Sequence, residues 1–197
     1  MTREEVSLLL GTFRCGLYRA YFTTVYQCGL RLSEGLNIRV CDIHSKRHTI
    51  RVKGKGGKLR EVPVSDDLLK RLRRFWASHR NPEWLFPAAG RGWKSSGRSR
   101  SEALREGQKP MSKTTAWNAF NQAKVECGLF KTHPEMRIHT LRHSYATHLL
   151  ESGVHIKQLS TYLGHNSLKP TLVYLHLTEL SDAQARAALQ TLALPAV

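Results

Sequence analysis

The chain has 197 residues, with 31 Lys and Arg against 15 Asp and Glu, a formal net charge of +16 at pH 7. With 41% hydrophobic and 23% charged residues, the composition suits a folded chain better than a disordered one, and the length suits one domain with a sizeable core or two small ones. No apolar run reaches the roughly 18–20 residues a membrane span requires, and Met1-Thr-Arg-Glu-Glu lacks the apolar stretch of a signal peptide.

So large an excess of one sign repels itself in the folded state, and it implies a polyanionic partner, nucleic acid ahead of an anionic membrane surface. The charge is concentrated. Residues 46–60 carry Lys46, Arg47, Arg51, Lys53, Lys55, Lys58 and Arg60 with no acid, and residues 91–109 carry six basic side chains against Glu102 and Glu106; together they supply 11 of the 16 net charges. Cys15, Cys28, Cys41 and Cys127 form no C-x-x-C pair, which argues against a zinc ribbon or a thioredoxin-like site and leaves buried free thiols as the expectation.

In chain order, Thr2-x-x-Glu5 is a capping box that opens a short helix. A longer helix is expected over about 14–27, with Tyr18, Tyr21, Phe22, Val25 and Tyr26 on its apolar face and Gly29 as its stop. Ser33-Glu34 opens another helical turn. Residues 48–53 and 58–64 alternate like strands, and Gly54-Lys-Gly-Gly57 joins them into a hairpin with a basic tip. Residues 66–80 return to a helical pattern with Lys70, Arg71, Arg73 and Arg74 on its outer face, and Trp84-Leu-Phe86 reads as a short strand. Residues 88–110, rich in Gly, Ser and Arg, read as a loop. Helices are expected at about 112–127, 140–152 (Thr140 as cap, Gly153 as stop), 156–163 (Gly164 as stop), 168–176 and 181–192. The fold class is mainly α with a small antiparallel β-sheet. Trp76, Trp84 and Trp117 are expected in the core, and Trp93 either anchors the basic loop or meets the partner.

The segment from Ile138 to His148 is crowded with possible ligands. His139 and His143 have the spacing of a zinc pair, but the Glu of H-E-x-x-H is missing and no third ligand is evident, so no metal and no cofactor is expected. His139 and Arg142, three apart at a helix start, share a face that suits either a phosphate or a surface ion pair. Three fragments add to them: Gly29-Leu-Arg31-Leu-Ser-Glu34, Gly54-Lys55-Gly56, and Leu163-Gly-His165 followed by Tyr174-Leu-His176.

The motifs G-L-R-x-S-E, G-K-G, H-x-L-R-H-S-x-A-T-H, L-G-H and Y-x-H, in this order, resemble the catalytic domain of the tyrosine recombinases, the phage-integrase and Xer-type site-specific recombinases. The resemblance spans about residues 2–180. It implies catalytic roles for Arg31 and Arg142 as phosphate clamps, Lys55 as the hairpin lysine, His139 and His165 as the two histidines, and Tyr174 as the nucleophile, with Glu34 beside the first arginine. Lys53 and Lys58 are the alternative lysines and expected DNA contacts. Arg91, Lys94, Arg98 and Arg100, in a loop longer than the family's usual link, are further expected DNA contacts, and His143, His148 and His176 are expected to pack. The implied partner is double-stranded DNA, without a membrane, in a cytoplasmic, nucleoid-associated protein. A homotetramer on DNA, joined through a helix in 181–197, is a further implication. Most relatives carry an N-terminal helical domain that closes the clamp on DNA, and this chain starts where the catalytic domain starts. A catalytically idle DNA-binding accessory protein and a type IB topoisomerase-like relaxing enzyme are the competing readings.

Overall fold

A computed structural model describes residues 1–175. The chain divides into two compact units, Met1–Tyr145 and Ala146–Val197. The described residues are mainly helical with one three-stranded antiparallel sheet of order β1-β2-β3. No helix among them is long and apolar enough to cross a membrane.

In the first unit, α1 (Arg3–Thr12) starts on the expected capping box: Thr2 Oγ1 accepts from the Glu5 amide at 3.2 Å, and the Glu5 carboxylate accepts from the Thr2 amide at 2.9 Å. The next helix, α2 (Gly16–Gln27), buries Leu17, Tyr21, Phe22 and Val25 along one face. Its rings organise the core: Phe13 stacks on Phe22 at 4.6 Å, and Tyr21 meets Phe22 and Phe86 edge-on at 4.9 and 5.3 Å. The short α3 (Leu32–Leu36) follows.

The strands are β1 (Ile43–His44), β2 (Thr49–Lys53) and β3 (Leu59–Pro63). Two residues are too few to show alternation, which is why β1 escapes a sequence reading. Ile50 pairs with Val62 and Val52 with Arg60, so these four share one face. Ile50, Val52 and Val62 are buried there, and Arg60 comes inward beside them. The helix α4 (Asp66–His79), capped by Ser65, buries Leu68, Leu69 and Leu72 and exposes its four basic residues.

Several expectations need correction. Residues 84–86 form no strand; Trp84 makes only an isolated bridge to Arg39. The 88–110 segment is not an irregular loop. It holds a 3-10 turn (Trp93–Ser95) and α5 (Arg100–Arg105), whose Ser99/Glu102 capping box was visible in S-R-S-E, and Leu104 reaches the main core. Trp117 is 60% exposed, and Trp76 and Trp84 are half-buried. Cys28 is buried, which pushes its thiol up to about 12, whereas Cys41 is exposed and Cys15 and Cys127 lie between.

Helices α6 (Lys113–Glu126) and α7 (Leu129–Thr132) precede α8 (Ile138–Glu151), within which the first unit ends. This helix begins two residues before Thr140, whose hydroxyl accepts from the Arg137 amide at 3.0 Å. The second unit contains the end of α8, then α9 (Ile156–Leu163) and α10 (Lys169–Leu172), the last shorter than the expected 168–176. His176 and the expected 181–192 helix lie outside the described residues.

His79 sets a pH dependence. Its side chain is buried, Nδ1 accepts from the Asn81 amide at 3.0 Å, and burial holds the imidazole at about 4 instead of 6.5. The folded state therefore resists the proton that the unfolded chain accepts. Stability is fully present above pH 6.5 and is lost as pH falls toward 4. Between pH 7 and pH 5 the expected loss is about 2 kcal/mol. Urea unfolding of His79→Gln at the two pH values checks it: the variant should lose about 2 kcal/mol less than the parent, and an unchanged difference would exclude His79 as its source.

Candidate active site

The site in the first unit grows from the turn after α2. The Leu30 amide returns to the Val25 carbonyl at 3.0 Å, burying Leu30 and delivering Arg31 to the start of α3. Glu34 reaches back to that start, accepting from the Arg31 amide at 2.9 Å and from its guanidinium at 2.8 Å. Arg60 adds a two-pronged contact, 3.0 Å to Oε1 and 2.8 Å to Oε2. Arg142 arrives on α8, donates to the Gly29 carbonyl at 2.7 Å and lies 3.7 Å from Glu34 Oε2.

Three guanidinium groups thus share one carboxylate whose side chain is 3% exposed. Burial alone would raise its pKa. The hydrogen bonds and charge of Arg60, with the amide and guanidinium of Arg31, outweigh burial and hold it at about 2. One negative charge against three positive ones leaves the cluster doubly positive. Exposure divides the labour: the Arg142 side chain is 1% exposed and Arg60 11%, whereas Arg31 is 35% exposed and open to an incoming anion.

His139 precedes Arg142 by one helical turn. Its ring meets His143 edge-on, centroids 4.7 Å apart. Burial, then the charges of His143, Arg142 and Arg31, hold its pKa below the usual 6.5 against the opposing pull of Glu34. His139 is therefore neutral at pH 7 and able to take a proton. His143 is exposed and likewise shifted down, by burial first and by Arg142. The turn leading into α8 is secured by buried Lys124, whose Nζ donates to the carbonyls of Pro134 (3.1 Å) and Met136 (3.2 Å).

The hairpin root lies against the same cluster. The Gly54 amide donates to the Lys58 carbonyl at 2.8 Å, and a Cβ on Gly54 would stand 3.4 Å from an Arg60 nitrogen and 3.6 Å from Glu34 Oε1. Lys55 follows in the 3-10 turn of the tip, while Lys53 and Lys58 are exposed on its two arms.

In the second unit, Gly164 ends α9 with φ +66°, a conformation that a side chain would strain. The His165 amide then returns to the Ser160 carbonyl at 3.0 Å. His165 Nδ1 lies 2.7 Å from Thr171 Oγ1, and the Tyr174 amide donates to the Thr171 carbonyl at 3.1 Å, so one buried threonine orients both. Tyr174 is 4% exposed and His148 is buried.

Each unit thus gathers its own share. Arg31, Arg60 and Arg142 surround the Glu34 carboxylate in the first, with His139 one turn before Arg142, and His165 and Tyr174 share Thr171 in the second. In the 88–110 segment, Arg98 is tied to Glu106 at 2.5 Å, and Arg100 lies over the rings of Tyr18 and Trp93, while Arg91 and Lys94 are exposed. Sequence reading missed Arg60. Its signal was present, since Arg60 precedes inward Val62 by two on an alternating strand and must find a buried anion there.

The sequence profile of the phage integrase family matches residues 1–180. Among curated relatives, the putative integrase/recombinase y4qK of Sinorhizobium fredii is 34% identical over 178 residues, covering 90% of this chain and 52% of the relative. Tyrosine recombinase XerD of Corynebacterium glutamicum is 33% identical over 160 residues, 81% of this chain and 48% of the relative. This chain spans about half the length of each. Among solved structures, XerA recombinase superposes with a TM-score of 0.71 at 20% identity, over 100% of this chain and 65% of that one, a likeness of fold.

Proposed function

The chain belongs to the phage integrase family, and from that premise we propose that it breaks and rejoins double-stranded DNA as the catalytic domain of a site-specific recombinase. Tyr174 attacks a phosphodiester, forming an Oη–phosphorus bond as the bond to the 5′ oxygen breaks. A 3′-phosphotyrosyl link results. The phenol gives up its proton as it attacks, to His139 or His165, and Lys55 protonates the departing 5′ oxygen. Arg31 and Arg142 remain charged and grip the non-bridging oxygens. A second 5′-hydroxyl then exchanges ester for ester, which needs neither ATP nor a metal. On the same reading, residues 181–197 join copies of the chain on DNA.

The observation that carries this reading is the doubly positive cluster on Glu34. A buried carboxylate held at about 2 by Arg60 and Arg31, with Arg142 3.7 Å away, is costly to build for stability alone, and the cluster suits the charge of a pentacovalent phosphate. Incubation with a pool of nicked duplexes, in which the cleaved end diffuses away, is expected to trap a covalent DNA adduct that Tyr174→Phe does not form. Transfer of the trapped strand to a second duplex marks a recombinase, and relaxation without transfer marks a topoisomerase-like enzyme. Duplex binding without adduct from any member of the pool would leave a binding module and sink the catalytic reading.

A further inference from the structure

We propose that the 88–110 segment is a second contact surface for duplex DNA, in which Arg91, Lys94, Arg105 and Lys109 meet phosphates while Arg98 and Arg100 build the platform beneath them. The inference rests on DNA being the partner, and it divides in two a set of arginines and lysines that sequence alone treats alike.

The segment leaves and rejoins the body at one point. The Ala88 amide donates to the Lys109 carbonyl and the Met111 amide to the Phe86 carbonyl, both at 2.8 Å, with Pro87 bridged to Pro110. Between these ends the chain is held down. Ala103 and Leu104 are buried, and the Asn81 side-chain amide reaches the carbonyls of Leu104, Arg105 and Gly107 at 2.8, 3.1 and 2.9 Å. A Cβ on Gly107 would collide with the Ala88 carbonyl, so the return path requires glycine. Arg100 spends its charge on the rings of Tyr18 and Trp93, 5.6 and 5.9 Å from their centroids. A surface built this way is already ordered when a ligand arrives.

Both acids of the segment are used internally. Glu102 accepts from the Ser99 amide and hydroxyl at 2.8 and 2.7 Å, and Glu106 takes Arg98. Arg91, Lys94, Arg105 and Lys109 stand exposed, and none makes an ion pair among the described residues. The segment presents no exposed large apolar side chain. Protein interfaces centre on such anchors. Separated long cations without an apolar centre fit a phosphate backbone, which is met by charge and reach alone.

The test is equilibrium binding of the full chain to a labelled duplex across 50–200 mM salt, with the parent protein and Arg91→Ala/Lys94→Ala. Each phosphate contact adds about 0.9 to the slope of log K against log salt. The double variant is expected to lose about 1.8 of slope and roughly tenfold in affinity at 100 mM salt, with an unchanged thermal melt. A variant that keeps the parental slope and affinity overturns the proposal and leaves the function above standing. Parent protein that binds no duplex even at 50 mM salt overturns both. Displacement of the parent protein from duplex by poly-glutamate as readily as by unlabelled duplex would assign the surface to an acidic polypeptide instead.

Discussion

Arg60→Met is expected to slow DNA cleavage in a single turnover by about two to three orders of magnitude while weakening DNA binding less than about threefold. Both terminal nitrogens of Arg60 are bonded to Glu34, so it acts on a ligand through that carboxylate. What it does is occupy both oxygens of Glu34. Without it, the carboxylate draws more strongly on Arg31 and Arg142, and the net charge of the cluster falls by one. A phosphate in the transition state then meets arginines already committed elsewhere. Removing the carboxylate as well should reverse much of this, so Glu34→Gln/Arg60→Met should cleave at least about tenfold faster than Arg60→Met alone. The single variant should also lose about 3–5 kcal/mol of stability, the cost of stranding a buried charge. Urea unfolding beside the cleavage rates separates the two effects. Parental cleavage in a folded Arg60→Met protein would show that the third arginine is structural only.

Asn81→Ala is expected to cost about 3–5 kcal/mol, which for a chain of this size lowers the melting temperature by about 10 °C. Asn81 is 1% exposed, and its side chain uses both ends. Oδ1 accepts from the amides of Glu83 (3.0 Å) and Trp84 (2.8 Å), and Nδ2 serves three carbonyls with two hydrogens, so one of these is shared. Alanine leaves this group of buried backbone atoms without partners and frees the C-terminal end of α5. Asn81→Asp should be worse, because it turns an acceptor toward three carbonyls where a donor stood. A loss under about 1 kcal/mol for alanine, measured by denaturant unfolding, would mean that water replaces the clamp.

The features legible in the sequence were those whose cause is short-ranged. The capping box at Thr2, the glycine stops at Gly29 and Gly164, and the alternation of 48–53 and 58–64 each depend on residues a few positions apart, and each element formed where expected. Even the missed α5 obeyed a local rule, the Ser99/Glu102 box, overshadowed by the surrounding Gly, Ser and Arg. Trp117 shows the opposite failure. Its ring suits a core, and only the packing of α6 against its neighbours decided that it faces outward.

By itself the sequence determined the order of the motifs, the helical class with its basic hairpin, and the identities of Arg31, Glu34, Lys55, His139, Arg142, His165 and Tyr174 as candidates. Which charges are spent and which are offered was decided by tertiary structure alone. Glu34 meets Arg60 from 26 positions away, and Arg142 meets the Gly29 carbonyl from 113. Arg98 and Arg100 are consumed by Glu106, Tyr18 and Trp93, whereas Arg91 and Lys94 are not. A side chain's charge is written in its residue type. Its availability depends on burial and on partners distant in sequence, and those exist only once the chain has folded.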